Sequence, residues 1–262
     1  MSIQGAQIGF SGSCPTTGSS CTDKFGCNSS VCPDFTIKRF DTKPAFKVAV
    51  EDCDGALDLT DETLVVEVSM WAKGKLREAI TASSTYFRLA DNIGFEQIMV
   101  GDIIVADRAR LPEHMLVTAF DETNYYVQVE RGYSSTTASA WKKGQSIRIF
   151  RAMSVAGEIE TQYEDILQVD GTTLEDQIVE SYVVFEWDAN TTCLPGCYWL
   201  EFKLLKMAAT VSIASTPSFT PSLIPADYGC ALGTGVEWVR RFPADSEGFL
   251  IQIVDSPTME LA

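Results

Sequence analysis

The sequence holds a single histidine, His114. No metal cluster can be built on several imidazoles, and any histidine-dependent triad would have to use that one residue. Basic charge is also scarce: 20 Lys and Arg stand against 36 Asp and Glu, for a formal net charge of -16. Such a chain repels phosphate backbones and anionic headgroups, so neither nucleic acid nor a membrane surface is an expected partner. Long apolar runs are missing. The stretches Ile103 to Ala106 and Tyr182 to Phe185 are strand-length, far short of the roughly 20 residues of a bilayer helix, so no membrane insertion is expected. The opening MSIQGAQIGFSGSC has no basic n-region and no long apolar run, and it does not read as a secretory signal. Amphipathic helical patterns of useful length are absent as well, which leaves a mainly β chain.

What the sequence does have is cysteine. Cys14, Cys21, Cys27 and Cys32 crowd the first segment, and Cys53, Cys193, Cys197 and Cys230 follow. Structural zinc usually takes cysteines in close pairs that turn two thiolates toward one ion, and only Cys27/Cys32 and Cys193/Cys197 approach that spacing. The N-terminal arm is rich in Ser, Thr, Gly and Pro and nearly lacks aliphatic side chains, so it needs covalent or intermolecular anchoring to be ordered. Disulfides are the expectation for these eight residues, with metal ligation and free thiols as alternatives. Disulfides without a secretory signal suit a particle assembled in a cytoplasm and released into an oxidising medium.

Beyond the arm, FKVAVEDCDGALDLTDETLVVEVSMW alternates with period two (Phe46, Val48, Val50, then Leu64, Val66, Val68) around an Asp54-Gly55 turn, which predicts two strands. Between 86 and 151, MVGDIIVAD, HMLVTAFD, YYVQVERGY and SIRIFRAM predict further short strands, spaced as in a small barrel or sandwich. An acidic stretch then leads into a strand over Tyr182 to Trp187, with a short helix expected over Leu174 to Val179. CYWLEFKLLKM places Tyr198, Leu200, Phe202 and Leu204 on one face. The proline-rich stretch from 208 to 235 reads as a long loop, and Phe249, Ile251 and Ile253 alternate as a final strand.

Two blocks carry a resemblance. The first is ALDLTDETLVVEVSMW; the second is FEWDANTTCLPGCYWLEFKLLKM with VRRFPADSEGFLIQIVD, including Pro195, Gly196, Tyr198, Glu201, Phe202, Phe242, Pro243, Gly248 and Ile251. Together they resemble the N-terminal domain of phage baseplate upper proteins and related tail-fibre attachment modules. Between them, GDIIVAD and HMLVTAFDETNYYVQVERGYSSTTASAWKKGQSIRI resemble a second module of phage tail proteins. Arg131, Gly132, Tyr133 and Thr136 are its most specific cluster, and Trp141 stands where histidine is usual. The resemblance implies a discontinuous immunoglobulin-like β-sandwich (43–85 and 156–262), interrupted by a small β-barrel-like domain (86–155) and preceded by the cysteine-rich arm (1–42). Insertion at a loop tip is well tolerated because domain termini often lie close together.

Several residues invite functional readings. His114, beside Glu113, reads as a surface or interface residue rather than a base or ligand. The acidic run Glu158, Glu160, Glu164, Asp165, Asp170, Glu175 and Asp176 could offer calcium ligands or a glycosidase carboxylate pair, but lacks the calcium-loop pattern and reads as a solvated face. In Arg131-Gly132-Tyr133 the glycine is expected to make a turn while Tyr133 packs. Trp71, Trp141, Trp187, Trp199 and Trp238 are expected mainly in the core, with an exposed carbohydrate-stacking strip as the alternative. Cys193 and Cys197 flank the Leu-Pro-Gly turn and are expected to project from its tip.

The expectation for function is a structural component of a phage tail, a tail fibre or baseplate attachment protein located in the virion and assembled in the host cytoplasm. It would act without a catalytic centre, cofactor or metal, joining other tail proteins and copies of itself, in part through intermolecular disulfides. Host adsorption through a surface glycan would be a secondary role. The alternative is a carbohydrate-binding module of a surface or extracellular protein.

Overall fold

A computed structural model describes residues 33–52, 55–56, 58–60, 64–90, 97–106, 112–121, 123–151, 156–207, 236–242 and 248–255. The described chain is mainly β. Its strands are β1 (Phe35–Lys38), β2 (Phe46–Ala49), β3 (Glu51–Asp52), β4 (Gly55–Ala56), β5 (Leu64–Lys75), β6 (Tyr86–Arg88), β7 (Ile103–Ala106) and β8 (Glu113–Asp121). They continue with β9 (Tyr126–Arg131), β10 (Ser146–Phe150), β11 (Ala156–Leu167), β12 (Thr173–Phe185), β13 (Gly196–Met207), β14 (Val236–Phe242) and β15 (Phe249–Val254). A single 3-10 turn over Tyr133–Ser135 is the helical piece among the described residues. Among those residues, no helix is long and apolar enough to cross a membrane.

The sheet runs β1-β15-β13-β5-β10-β7-β8-β9-β6, with β14 on β13 and the β2-β12-β11 ladder joined through β11 to β5. β5 is its pivot. Its first two thirds pair with β13, from Lys206 opposite Leu64 to Trp199 opposite Trp71, while Trp71 to Lys75 pair with β10. One strand therefore passes from one hydrophobic cluster into another.

The first cluster follows the period-two pattern. Val66, Val68 and Met70 of β5 face Leu204, Phe202 and Leu200 directly across the ladder, and all six are buried together with Tyr198, Phe46, Val48, Val183, Phe185, Ile251 and Ile253. Aromatic rings tie the ladders together: Phe46 lies 5.9 Å from Phe202 and 5.3 Å from Phe249, and Phe35 stacks on Trp187 at 5.7 Å. Ile37 of β1 also enters this core, and β1 runs parallel to β15. Residues 35–38 are thus sheet, because Phe35 and Ile37 supply the apolar alternation that the preceding Ser/Thr-rich stretch lacks.

The second cluster gathers Leu76, Ile80, Phe87, Leu89, Ile104, Met115, Val117, Val127, Val129, Trp141, Ile147 and Ile149. The path β5-β10-β7-β8-β9-β6 comes back toward its start. Leu76 bridges Leu89, with Arg77 N–H donating to Arg88 O at 3.1 Å and Ala90 N–H to Lys75 O at 2.7 Å. The strands expected over 86 to 151 are all present as β7 to β10.

The expected helix over Leu174 to Val179 is instead part of β12, in register with β11 through Leu174 opposite Ile166 and Ile178 opposite Tyr163. A six-residue helix pays the full nucleation cost for very few hydrogen bonds, whereas the hairpin partner offers a continuous ladder. The strand predicted to run on to Trp187 ends at Phe185. The loop expected from 208 to 235 lies outside the described residues.

Candidate functional site

Arg131 and Glu113 meet at one end of the second cluster, from the last residue of β9 and the first of β8. The guanidinium donates from Nε to Glu113 Oε1 at 2.5 Å and from Nη2 to Oε2 at 2.9 Å. Its remaining donors go to the carbonyls of Thr81 (2.7 Å), Ser84 (2.6 Å) and Ser139 (2.6 Å). Glu113 also accepts from Trp141 Nε1 at 2.6 Å and from Ser139 N–H at 3.0 Å. Burial pushes the Glu113 carboxyl up, but the hydrogen bonds from Arg131, Trp141 and Ser139 outweigh it and hold the group below its usual range. The pair is nearly sealed from solvent, at 5% and 0% side-chain exposure. With every Arg131 donor engaged inside the chain, this cluster is a pin between β8, β9 and two loops. Trp141, the departure from the resembled module, serves it as an indole donor.

The adjoining Arg131-Gly132-Tyr133 turn behaves as the sequence predicts. Gly132 has φ +63, and a Cβ there would lie 2.8 Å from Thr136 O. Tyr133 packs against the small cluster of Trp71, Ile103, Val105 and Phe150. His114 departs from expectation: it is fully buried, opposite Val105 on β7, and its N–H donates to Thr136 Oγ1 at 3.0 Å. It is an interior strand position, because β8 begins at Glu113 and the loop carrying Thr136 covers it.

A second polar cluster joins the two hydrophobic clusters. Arg151 follows β10 directly and is buried. Its Nη2 donates to Gln97 O at 2.9 Å and to the Tyr198 hydroxyl at 3.3 Å, and its Nη1 lies 3.4 Å from Asp102 Oδ2. Asp102 accepts from Met99 N–H at 2.7 Å, the Tyr198 hydroxyl donates to Leu194 O at 3.0 Å, and Gln97 Nε2 donates to Cys197 O at 3.1 Å. Burial pushes the Tyr198 phenol up to about 12, so it stays a neutral donor. Gln97 also explains Gly196: a Cβ there would fall 2.0 Å from Gln97 Nε2.

The cysteines at this junction do not project from a tip. Cys193 is a free thiol of intermediate exposure whose Sγ lies 3.2 Å from Met99 Sδ. Burial pushes that thiol up. Cys197 is buried in β13, opposite Gln252 of β15 and beside Leu250. The turn closes before it, since Gly196 already begins the strand. Cys14, Cys21, Cys27, Cys32, Cys53 and Cys230 lie outside the described residues.

The acidic run sits on a long hairpin of β11 and β12. Near its base β12 pairs with β2, through Tyr182 opposite Ala49. From Thr161 and Glu180 outward, the two strands pair with each other alone among the described residues, for about 20 Å at the ~3.4 Å rise of an antiparallel strand. Its Asp170-Gly171 turn is built: Gln168 N–H donates to Thr172 O at 2.8 Å, and Asp170 Oδ1 accepts from Thr172 N–H at 2.9 Å. Glu164, Asp165, Asp170, Glu175 and Asp176 are exposed, as a solvated face requires. What the sequence reading missed is that the apolar residues are exposed with them: Leu167 at 72%, Tyr163 at 50%, and Ile166, Leu174 and Val169. Alternation identifies strands but does not say whether a second layer covers them.

Of the tryptophans, Trp71, Trp141 and Trp187 are buried, Trp199 is half-buried, and the Trp238 side chain lies outside the described residues. Trp71 and Trp199 stack at 6.0 Å, with Trp71 buried beside Ile103, Val105 and Phe150 and Trp199 packed against that small cluster from its edge. Lys73 Nζ stands 4.6 Å above the Trp199 ring, and the Arg148 guanidinium lies 5.7 Å from Trp71 and 5.4 Å from Phe150. A ring pair closer to solvent is made of tyrosines: exposed Tyr86 and half-buried Tyr126 stack at 4.4 Å, and Arg88 lies 4.3 Å over Tyr126. Among the described residues, no group of three or more His, Cys, Asp or Glu side chains is placed to hold a metal ion.

The chain matches no protein-family model and no curated protein. The Glu113–Arg131 cluster is consumed by internal hydrogen bonds, and the buried Arg151 keeps Nε and Nη1 without a hydrogen-bond partner beside its Asp102 ion pair. Among the described residues the hairpin and the Tyr86–Tyr126 pair are turned outward.

Proposed function

We propose that this chain is a structural component of a phage tail, a tail fibre or baseplate attachment protein that works by assembling with other virion proteins. The observation that carries the reading is the projecting hairpin. A two-stranded ladder is marginal by itself in water, and one that exposes Leu167, Val169, Tyr163, Ile166 and Leu174 gains its stability when another surface covers it. Joining the two clusters at Arg151 suits a part that transmits load, because breaking the junction strands buried charge.

The same reading takes the first cluster as an immunoglobulin-like sandwich, supported by the aromatic contacts of Phe46 with Phe202 and Phe249 across its ladders. It takes the second as a small inserted barrel, supported by the Leu76–Leu89 bridge at the end of the strand path. The N-terminal cysteines anchor the arm, in part through bonds to neighbouring chains. Immunogold labelling with antibody raised against the purified chain places gold on the tails of intact particles. Chain found solely in the soluble fraction of the lysate overturns the reading. For the covalent linkage, electrophoresis of particles without reductant shows bands above monomer size, and a lone monomer band refutes it.

A second reading, carbohydrate binding, is favoured by the Tyr86–Tyr126 pair with Arg88 beside it, since flat rings and a planar donor suit a sugar face. Glycan-array binding that is lost in Tyr126→Ala supports it.

A further inference from the structure

The two cysteines beside the Leu194-Pro195-Gly196 turn have different fates. Cys193 is a free thiol whose Sγ lies 3.2 Å from Met99 Sδ, whereas Cys197 is disulfide-bonded. With Cys193 free, the partner of Cys197 is one of Cys14, Cys21, Cys27, Cys32, Cys53 and Cys230, which lie outside the described residues. Chain reach decides among them. Cys230 stands six residues before Val236, which pairs with Met207, ten residues along β13 from Cys197. Those ten residues cover about 33 Å at the rise of a strand. Six residues of extended chain span at most about 22 Å, and a disulfide joins Cα atoms at most about 7 Å apart, so Cys230 falls short.

Cys53 falls short as well. It follows Val50 by three residues, and Val50 N–H donates to Ser181 O at 2.8 Å. Ser181 lies opposite Thr161, on the hairpin side of the row in which Gly157 pairs with Val66 and Val66 with Leu204. Leu204 is already seven residues from Cys197, about 23 Å of strand, against about 18 Å for three residues and a disulfide. The arm is different, because the sheet holds its base beside Cys197. Asp34 N–H donates to Leu250 O at 2.8 Å, and Leu250 N–H donates to Asp34 Oδ2 at 2.7 Å. Leu250 lies opposite Trp199 and is buried together with Cys197. From Asp34 to Cys197 the path is two strands across and two residues along, about 12 Å. Cys32 precedes Asp34 by two residues, and two residues with a disulfide reach about 14 Å. Cysteines further up the arm close longer loops at a greater entropic cost.

We infer that Cys32 and Cys197 form an intrachain disulfide that latches the N-terminal arm to the sheet where β1 begins. The inference does not need the tail reading: it turns one arm cysteine inward and leaves Cys14, Cys21 and Cys27 for neighbouring chains. Forming the bond removes two protons and two electrons from the two thiols, and a small-molecule disulfide takes them up. One cysteine attacks that disulfide as the thiolate and releases a small thiol; the other attacks the resulting mixed disulfide and releases the second. Excess small thiol reverses both steps and frees the arm, which has few aliphatic side chains to hold it.

Peptide mapping of the full chain tests this. The folded protein is equilibrated with oxidised glutathione, alkylated with iodoacetamide in urea without reductant, and the monomer band of a non-reducing gel is digested with trypsin. Mass spectrometry should find the peptide 25–38 joined to the peptide 152–203, with fragmentation placing the bond at Cys32 and Cys197 and the label on Cys193. Reduction before alkylation raises labelling of Cys197 at least about tenfold, since a disulfide sulfur does not alkylate. In Cys32→Ser, Cys197 labels without reductant; in Cys27→Ser it stays protected. Labelling of Cys197 in unreduced wild type, a bond from Cys197 to another cysteine, linked peptides confined to bands above monomer, or a protected Cys197 in Cys32→Ser each overturns the inference. The wild-type map needs no substitution, so it decides even where a variant does not fold. Failure of the latch leaves gold on the tails in place, whereas absence from tails refutes the assembly reading whatever Cys197 binds.

Discussion

Replacing Glu113 by glutamine tests whether the ion pair at the end of the second cluster is the pin that its geometry describes. The glutamine side chain would keep an oxygen for Trp141 Nε1 and Ser139 N–H but would leave the Arg131 guanidinium, 5% exposed, without its counter-charge. Stranding one partner of a buried pair costs about 3–5 kcal/mol. The carbonyls of Thr81, Ser84 and Ser139 still accept from Arg131, which places Glu113→Gln near the lower end, about 3 kcal/mol. Urea unfolding should show that loss as a lower midpoint at constant slope. The double-mutant cycle is the sharper measurement. Arg131→Met alone forfeits three carbonyl hydrogen bonds and leaves the carboxylate buried. Adding Glu113→Gln to it costs little more, because the charge it would remove is already without its partner. A Glu113→Gln loss under about 1 kcal/mol, or additive single effects, would refute the buried-pin account.

Other expectations follow from the same structure. In the folded chain Glu113 is held below its ordinary 4.5, so its contribution to stability is present above that ordinary value and disappears as pH falls through the lower folded one. Acid unfolding of Glu113→Gln should accordingly be flatter than wild type below about pH 4.5, and parallel curves would contradict this. Arg151→Met removes the group that links Asp102 and Gln97 to Tyr198; calorimetry should show broadening or two separated transitions, and an unchanged single peak would dismiss the junction. Burial raises the Cys193 thiol, so iodoacetamide should label the Cys193 peptide more slowly in the folded chain than in urea, as read by mass spectrometry.

Much of the fold was legible in the pattern of side chains. Tyr198, Leu200, Phe202 and Leu204 alternate in the sequence and are all buried on one face of β13, since a strand's period of two leaves no other arrangement. The Arg131-Gly132-Tyr133 turn was legible as well, because a left-handed backbone position favours glycine. Other features were not. The reading of Leu174 to Val179 as helix failed because local pattern is a weak prior where a neighbouring strand supplies the hydrogen bonds. His114 looked like a surface residue because a polar side chain beside a glutamate normally is one. Its burial depends on a loop more than twenty positions away, since Thr136 closes over it.

Composition and alternation by themselves decided that this is a mainly β chain, acidic and poor in histidine, and which faces of β5 and β13 turn inward. Those are properties of each segment, set by the two-residue period and by the cost of burying charge. Tertiary structure alone decided which charges meet and which apolar residues stay uncovered. Glu113 and Arg131 are pinned within one cluster, Arg151 joins two, and the hairpin leaves Tyr163, Ile166, Leu167, Val169 and Leu174 exposed. Pairing and coverage are relations between distant segments, and no local pattern encodes the distance between them.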